Sequence, residues 1–123
     1  ETLIALMGAM HMALLGPRGL ERLALRVAAA TEATKTAVTA IAGIELVDPG
    51  ASNFREFAVK LPGEASDALA HLDSEGVLGG FDLGVWWDFM STCLLIGADE
   101  RTSESDIAAL VRGLSSWVEE AGA

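Results

Sequence analysis

The sequence is poor in cysteine, tyrosine and basic side chains, and these shortages narrow the range of functions that the protein can have. Its one cysteine, Cys93, has no partner for an internal disulfide, which is typical of a protein from the reducing cytoplasm. Cys93 opens an apolar run and has no histidine near it in sequence. We therefore expect a cytoplasmic protein in which Cys93 is a buried, inert thiol and not a nucleophile.

Basic residues are also too few to balance the acidic ones. The chain has 8 lysines and arginines against 18 acidic residues, for a formal net charge of −10. Residues 1–40 are nearly balanced, so the excess of negative charge belongs to residues 41–123. A negative field of this size repels the phosphates of nucleic acids and the anionic surface of membranes. We expect neither as a partner.

Recognisable catalytic and metal-binding motifs are missing as well. His11 and His71 have no second histidine or carboxylate at metal-ligand spacing on the same face. The only lysines are Lys35, on a predicted helix, and Lys60, at an outward position of a predicted strand. The acidic residues of segment 99–106 bracket a predicted helix start, where carboxylates complement the helix dipole. The residues alone therefore indicate no catalytic, cofactor-binding or metal site.

What the sequence does contain is a long apolar start. Residues 2–15 carry large apolar side chains at helical spacing with hardly any polar ones between them, which predicts a helix buried on more than one side. Gly16-Pro17 ends this helix and begins a second, amphipathic one that reaches about Ala42, with Gly43 as its stop. The first run is too short to span a bilayer, and no basic segment precedes it, so it is a poor signal peptide.

The rest of the chain alternates strands and helices. Strands are predicted at residues 44–47, 54–61, 77–78 and 93–97, and helices at about 64–75 and from an N-cap at Thr102 onward. Tight turns between the strands favour antiparallel pairing. We predict an α+β fold, a two-layer sandwich whose small, mainly antiparallel sheet is covered on one face by helices.

Three residues after the predicted 77–78 strand are candidates for a functional surface: Gly79, Gly80 and Trp86. The glycines fit neither a Walker loop nor a dinucleotide fingerprint, so a turn or bulge is favoured over a ligand loop. In an extended chain Trp86 and Trp87 would face opposite ways, so one can lie in the core and the other outside. We nominate Gly79, Gly80 and Trp86 for lining a cleft or an interface.

Four segments stand in an order and spacing that a known family shares: Leu14-Leu15-Gly16-Pro17-Arg18-Gly19-Leu20, residues 53–62, residues 76–84, and residues 94–107. Together they resemble the C-terminal domain of the glycine-cleavage P-protein, glycine dehydrogenase (decarboxylating), and most of all its subunit 1. Trp86-Trp87 stands where the family commonly has paired tyrosines. The chain departs from the family at Ala98-Asp99, in place of threonine-glutamate, and at Arg55.

The resemblance implies the small C-terminal domain of a fold-type-I pyridoxal-phosphate enzyme, with residues 1–123 as one domain cut from a longer chain. It implies a part in glycine decarboxylation and in aminomethyl transfer to a lipoyl carrier protein. The implied partners are that carrier, a large pyridoxal-phosphate domain and a partner subunit, in a homo- or hetero-oligomer. The cofactor lysine would lie outside this segment, because neither lysine here has a matching sequence context. We therefore expect no catalytic residue in the chain and no activity from it alone.

Three alternatives remain open from the sequence. The chain could be the small domain of another fold-type-I enzyme, of the aminotransferase or cysteine desulfurase type. It could instead be a stand-alone regulatory module that binds an amino acid between strand and helix. The third alternative is an oligomerisation domain that uses the first helix and Trp86-Trp87.

Overall fold

The computed structural model describes residues 1–121 and shows three helices and a four-stranded sheet. The elements, in chain order, are α1 (Thr2–Thr39), β1 (Glu45–Leu46), β2 (Glu56–Lys60), α2 (Ala65–Ser74), β3 (Phe81–Asp82), β4 (Cys93–Gly97) and α3 (Glu104–Ala121). Two single-turn 3₁₀ helices, Leu83–Val85 and Asp88–Met90, lie between β3 and β4.

Helix α1 is broken at Gly16. This residue has φ 61° and ψ 180°, a conformation outside the helical region that glycine adopts without a steric penalty, and Pro17 cannot donate the backbone hydrogen bond that would bridge the break. The predicted division into two helices is therefore confirmed. We call residues 2–15 the N-terminal arm and residues 17–39 the body segment of α1. The body segment ends at Thr39, three residues before the predicted end, and Gly43 follows with φ 86°.

The sheet has the order β1-β2-β4-β3, and every pair of neighbours is antiparallel. Phe57 is opposite Ile96 and Val59 is opposite Leu94, and these four side chains are buried. Their alternate neighbours, among them Lys60, lie on the other face. The predicted α+β architecture, a small antiparallel sheet with helices on one face, is thus confirmed.

The core lies between this face of the sheet and the helices. Leu72 of α2 and Leu114 of α3 are fully buried against Phe57, and Val38 brings the end of the body segment into the same cluster. Two buried threonines of the body segment are satisfied within their own helix, since Thr31 and Thr34 donate to the carbonyls of Val27 and Ala30. Among residues 1–121, every buried side-chain nitrogen and oxygen atom has a hydrogen-bond partner.

The third strand lies later in the chain than predicted. Residues 77–78 form no strand, and β3 instead begins at Phe81. The reason is the end of α2: Gly76, with φ 74°, donates to the carbonyl of Asp73, and Val77 donates to that of Leu72. These two hydrogen bonds cap the C-terminal end of α2, so the apolar Val77 belongs to the helix cap and not to the sheet.

The N-terminal arm is exposed along nearly its whole length. Every residue from Glu1 to Leu14 is exposed, including large apolar side chains. By length and composition alone α1 could cross a membrane, with a mean hydropathy of 1.3 over its most apolar 18 residues. Arg18, Glu21 and Arg22 follow the arm closely, which leaves an uncharged run of residues 2–17 only.

Candidate cleft or interface surface

Gly79 and Gly80 hold the segment after α2 close to the body. A Cβ atom on Gly79 would lie 2.3 Å from Cδ1 of Leu72, which is fully buried. A Cβ atom on Gly80 would lie 2.2 Å from the carbonyl oxygen of Leu95 in β4, and the φ of Gly80 is 136°. Glycine is required at both positions because the chain passes within contact distance of α2 and β4. The structure gives these two candidates a local packing role, and their place in a cleft or an interface stays a prediction.

Immediately after β3 the chain turns back on itself. The side chain of Asp82 accepts a hydrogen bond of 2.7 Å from the N–H of Gly84 and so caps the first 3₁₀ helix. Leu83 is buried beneath this turn, and its carbonyl accepts hydrogen bonds from the N–H groups of Trp86 and Trp87. The turn anchors the backbone on its apolar side and leaves the side chains that follow Leu83 facing outward.

Three exposed aromatic side chains at this turn contact one another in succession and form a surface that we call the aromatic patch: Phe81, Trp86 and Trp87. The ring centroids of Phe81 and Trp86 are 4.8 Å apart, and those of Trp86 and Trp87 are 5.8 Å apart in an edge-to-face arrangement. Trp86 is 68% exposed and Trp87 46% exposed. The alternation considered for an extended chain does not hold, because residues 83–85 form a helical turn that directs both indoles to the surface.

An exposed patch of this composition is typical of a binding surface. Tryptophan is enriched among the residues that carry most of the binding energy in protein interfaces, and large apolar side chains seldom cluster on a free surface without a partner. The tilted contact of Phe81 with Trp86 and the edge-to-face contact of Trp86 with Trp87 restrict the indoles, and such restriction lowers the entropy lost on binding. The patch is therefore suited to contact another protein surface or the wall of a cleft.

The two histidines and the cysteine occupy positions that indicate a structural and not a catalytic role. The ring of His71 is 2.9 Å from the hydroxyl of Ser116, while Glu75 and Glu120 are each 3.6 Å away, on opposite ring nitrogens. His11 is exposed on the arm, and Cys93 is buried. Within residues 1–121 no three histidine, cysteine, aspartate or glutamate side chains are placed to hold a metal ion.

The two lysines lie on different elements, Lys35 on α1 and Lys60 on β2. The amine of Lys35 is 2.6 Å from a carboxylate oxygen of Glu32, and its side chain is 16% exposed. Lys60 is exposed at the end of β2, opposite Glu45 of β1 and Cys93 of β4. Neither lysine is among the residues that line the cavity described next.

A cavity of about 410 Å³ lies between the body segment of α1, the loop after α2 and the start of α3, and Asp99 and Asp106 are among its lining residues. Hydrogen bonds from the N–H of Arg101 and from Thr102 hold the pKa of Asp99 below its usual value. Hydrogen bonds from the hydroxyl and N–H of Ser103 lower the pKa of Asp106. These carboxylates are occupied within their own turns, as the helix-start interpretation of segment 99–106 anticipated.

The N-cap of α3 is Ser103, one residue beyond the predicted Thr102. The hydroxyl of Ser103 accepts a hydrogen bond from the N–H of Asp106, while the carboxylate of Asp106 accepts one from the N–H of Ser103. This reciprocal pair is a capping box, and its spacing was visible in the sequence as Ser-Glu-Ser-Asp. Thr102 instead bonds to Asp99 in the preceding turn.

Sequence comparison relates most of the chain to one group of proteins, although no protein-family model matches it. The probable glycine dehydrogenase (decarboxylating) subunit 1 of Caulobacter sp. strain K31 is 38% identical over 118 residues, which cover 92% of this chain and 25% of that protein. The protein of the same description from Geotalea daltonii is 30% identical over 116 residues, 94% of this chain and 26% of the relative. The chain thus spans about a quarter of the length of these relatives.

Structural comparison agrees with the sequence comparison. A crystal structure of glycine decarboxylase (P-protein) of the glycine cleavage system, in inhibitor-bound form, matches 91% of this chain with a TM-score of 0.83 and 29% identity, over 25% of its own length. A NifS-like protein from Rickettsia africae and the aminotransferase TlmJ from Streptoalloteichus hindustanus each match with a TM-score of 0.65 at 13% identity, covering 80% and 86% of this chain. The latter two share the fold alone, which is that of the small domain of fold-type-I pyridoxal-phosphate enzymes. Over about nine-tenths of its length the chain is therefore similar to about a quarter of glycine dehydrogenase (decarboxylating) subunit 1 and of the P-protein.

Proposed function

We propose that this chain is the C-terminal accessory domain of a pyridoxal-phosphate-dependent glycine decarboxylase and that it has no activity by itself. The observation that carries the proposal is the correspondence with the P-protein structure, with a TM-score of 0.83 over 91% of the chain. Residues 1–123 would form one domain of a longer chain, and a cytoplasmic location stays a prediction from the single cysteine.

The residues of this chain do not fit the cofactor itself. Pyridoxal phosphate is held through a lysine amine in a pocket, but Lys35 is paired with Glu32 and Lys60 lies exposed at a strand end. No residue of this chain therefore takes part in a chemical step of the proposed enzyme. In the proposed enzyme the reactive amine belongs to another stretch of polypeptide, and this domain supplies a wall and a contact surface.

The aromatic patch is the part of the surface that suits this role. Trp86 and Trp87 are exposed, mutually fixed and anchored through Leu83 to the body. We propose that Trp86 contacts the partner subunit or the large domain at the mouth of the cleft, with Gly79 and Gly80 setting the position of the patch. The reaction that we propose for the whole enzyme is the one implied by the resemblance: glycine is decarboxylated, and the aminomethyl group passes to a lipoyl carrier protein.

A chimera tests the proposal directly. This chain replaces the matching quarter of the Caulobacter relative, and the product is assembled with its partner subunit and pyridoxal phosphate. We expect glycine-dependent release of carbon dioxide from the chimera, and neither cofactor absorbance nor decarboxylation from the 123-residue chain alone. A soluble, assembled chimera without activity would contradict the proposal, and so would a cofactor band from the isolated chain.

A matched pair of variants tests the patch. Trp86→Ala in the chimera removes an exposed indole at a predicted contact, and loss of such a residue costs more than about 1.4 kcal/mol of binding, or tenfold in affinity. Leu78→Ala is the control, because Leu78 is 98% exposed and lies outside the patch. We expect Trp86→Ala to weaken subunit assembly or raise the KM for glycine about tenfold while Leu78→Ala does not. Equal behaviour of the two variants would remove the patch from the proposal.

A further inference from the structure

The N-terminal arm carries a large apolar surface with no partner among the described residues. Its exposed large side chains are Leu3, Ile4, Leu6, Met7, Met10, Met12 and Leu14. Gly8, in the middle of the arm, has no side chain of the body within 4 Å of where a Cβ would be placed. In water a surface of this kind is unfavourable, and it marks an interaction site.

The distribution of these side chains around the helix shows how a partner must contact it. At 3.6 residues per turn, the large apolar side chains cover about two-thirds of the circumference. The remaining third carries Ala5, Ala9 and Ala13 in successive turns. Residues 2–15 contain no lysine, arginine, aspartate or glutamate, and so no side of the arm is suited to water. A partner must therefore surround the arm on at least two sides.

This requirement argues against two simpler partners. In a two-helix contact with a second copy, each helix buries one stripe and leaves the other sides exposed. A bilayer would need about 20 apolar residues to cover its hydrocarbon core of about 30 Å. The uncharged run of residues 2–17 spans only about 24 Å as a helix, and the chain carries a net charge of −10.

We infer that the arm inserts into an apolar groove of the polypeptide that makes up the other three quarters of its relatives. The chain covers 25% of the Caulobacter relative and 25% of the P-protein structure, so a much larger body of protein is available to enclose the arm. This inference rests on the proposed function, because it takes that larger polypeptide as the partner. It adds that the larger polypeptide encloses the arm, in addition to the surface contact proposed for the aromatic patch.

Thiol labelling measures the enclosure. Met7→Cys places a thiol on the large apolar side of the arm, and Asp73→Cys places a control thiol at an exposed position of α2. Cys93 is buried, so the unsubstituted chain gives the baseline. In the dilute isolated chain we expect both introduced thiols to react with a maleimide at similar rates. In the chimera described above, we expect Met7→Cys to react at least tenfold more slowly while Asp73→Cys is unchanged.

Three results would overturn the inference. The first is a Met7→Cys thiol that stays fully reactive in the chimera. The second is protection in the isolated chain that grows with protein concentration, which would identify a second copy as the partner. The third is protection by phosphatidylcholine vesicles, which would identify a lipid surface. Should the chimera be insoluble, the separately produced remainder of the relative is added to the labelled chain, and protection or its absence decides in the same way.

The labelling experiment and the activity assay test two different proposals, and either proposal can be rejected without the other. Protection of Met7→Cys in a chimera that does not decarboxylate glycine would keep the enclosed arm and reject the catalytic assignment. Decarboxylation by a chimera whose Met7→Cys thiol reacts freely would reject the enclosed arm alone.

Discussion

The side chain of Leu72 is held between two glycines, and this arrangement makes a sharp prediction about packing. A Cβ on Gly79 would lie 2.3 Å from Cδ1 of Leu72, and a Cβ on Gly113 would lie 2.5 Å from its Cδ2. Leu72 is fully buried, so neither methyl group can move away without displacing other core atoms. We therefore expect Gly79→Ala to destabilise the fold by steric overlap.

The magnitudes follow from the two kinds of packing error. Gly79→Ala adds a methyl group to a full space, which costs about 1–3 kcal/mol of unfolding free energy. Leu72→Ala removes a buried isobutyl group and leaves a cavity, which costs about 2–5 kcal/mol. In the double variant the new methyl group enters the space that Leu72 vacated. The combined loss should fall short of the sum of the single losses by about 1 kcal/mol or more.

The assay is equilibrium unfolding in urea, followed by far-ultraviolet circular dichroism, for the parent chain, the two single variants and the double variant. Gly113→Ala in the Leu72→Ala background repeats the cycle on the opposite methyl group and serves as an independent check. Additivity within about 0.5 kcal/mol in both cycles would refute the idea that Leu72 occupies the space of the missing Cβ atoms.

Two further predictions concern backbone conformation and helix capping. Gly80→Ala should cost about 1–3 kcal/mol more than Gly76→Ala in thermal or urea unfolding. Both glycines have positive φ, but only a Cβ on Gly80 would also meet the backbone oxygen of Leu95. Equal losses would show that the close approach to β4 costs nothing. Ser103→Ala should lower the unfolding free energy at pH 7 by about 1 kcal/mol through loss of the N-cap. The pKa of Asp106 is lowered in the folded chain, so its contribution is complete above the ordinary value of 3.8 and is lost as the pH falls through the lowered value. The difference between the parent and Ser103→Ala should therefore shrink below pH 4, and a constant difference would contradict the role of the carboxylate.

The main elements of the fold were predictable because their signals are local. Phe57 and Val59 alternate with outward residues along β2, and a buried sheet face requires that period. Gly16-Pro17 predicted the break in α1 because proline lacks the donor that a continuous helix would use there. The family resemblance was equally readable, since its four motifs lie in segments that the fold keeps in order.

The errors arose where tertiary contacts decide between alternatives that the local sequence leaves open. Val77 is apolar whether it begins a strand or closes a helix cap, and the hydrogen bond to Leu72 decides for the cap. The orientation of Trp86 and Trp87 depends on a 3₁₀ turn anchored by the buried Leu83. No periodic pattern of apolar residues in the sequence predicts such a turn. The enclosure of Leu72 between Gly79 and Gly113 joins residues far apart in the chain, so only the folded structure reveals it.

The break at Gly16 also allows the N-terminal arm to unfold without the rest of the molecule. Helical hydrogen bonding cannot propagate through a glycine with ψ near 180° and a proline without an N–H, so fraying at Thr2 ends before it reaches Gly19, the first buried residue of the body segment. Amide exchange in residues 2–15 should consequently be fast while the body beyond Gly19 remains protected. A chain built in this way can reorient residues 2–15 on meeting a partner without disturbing the core that it already has.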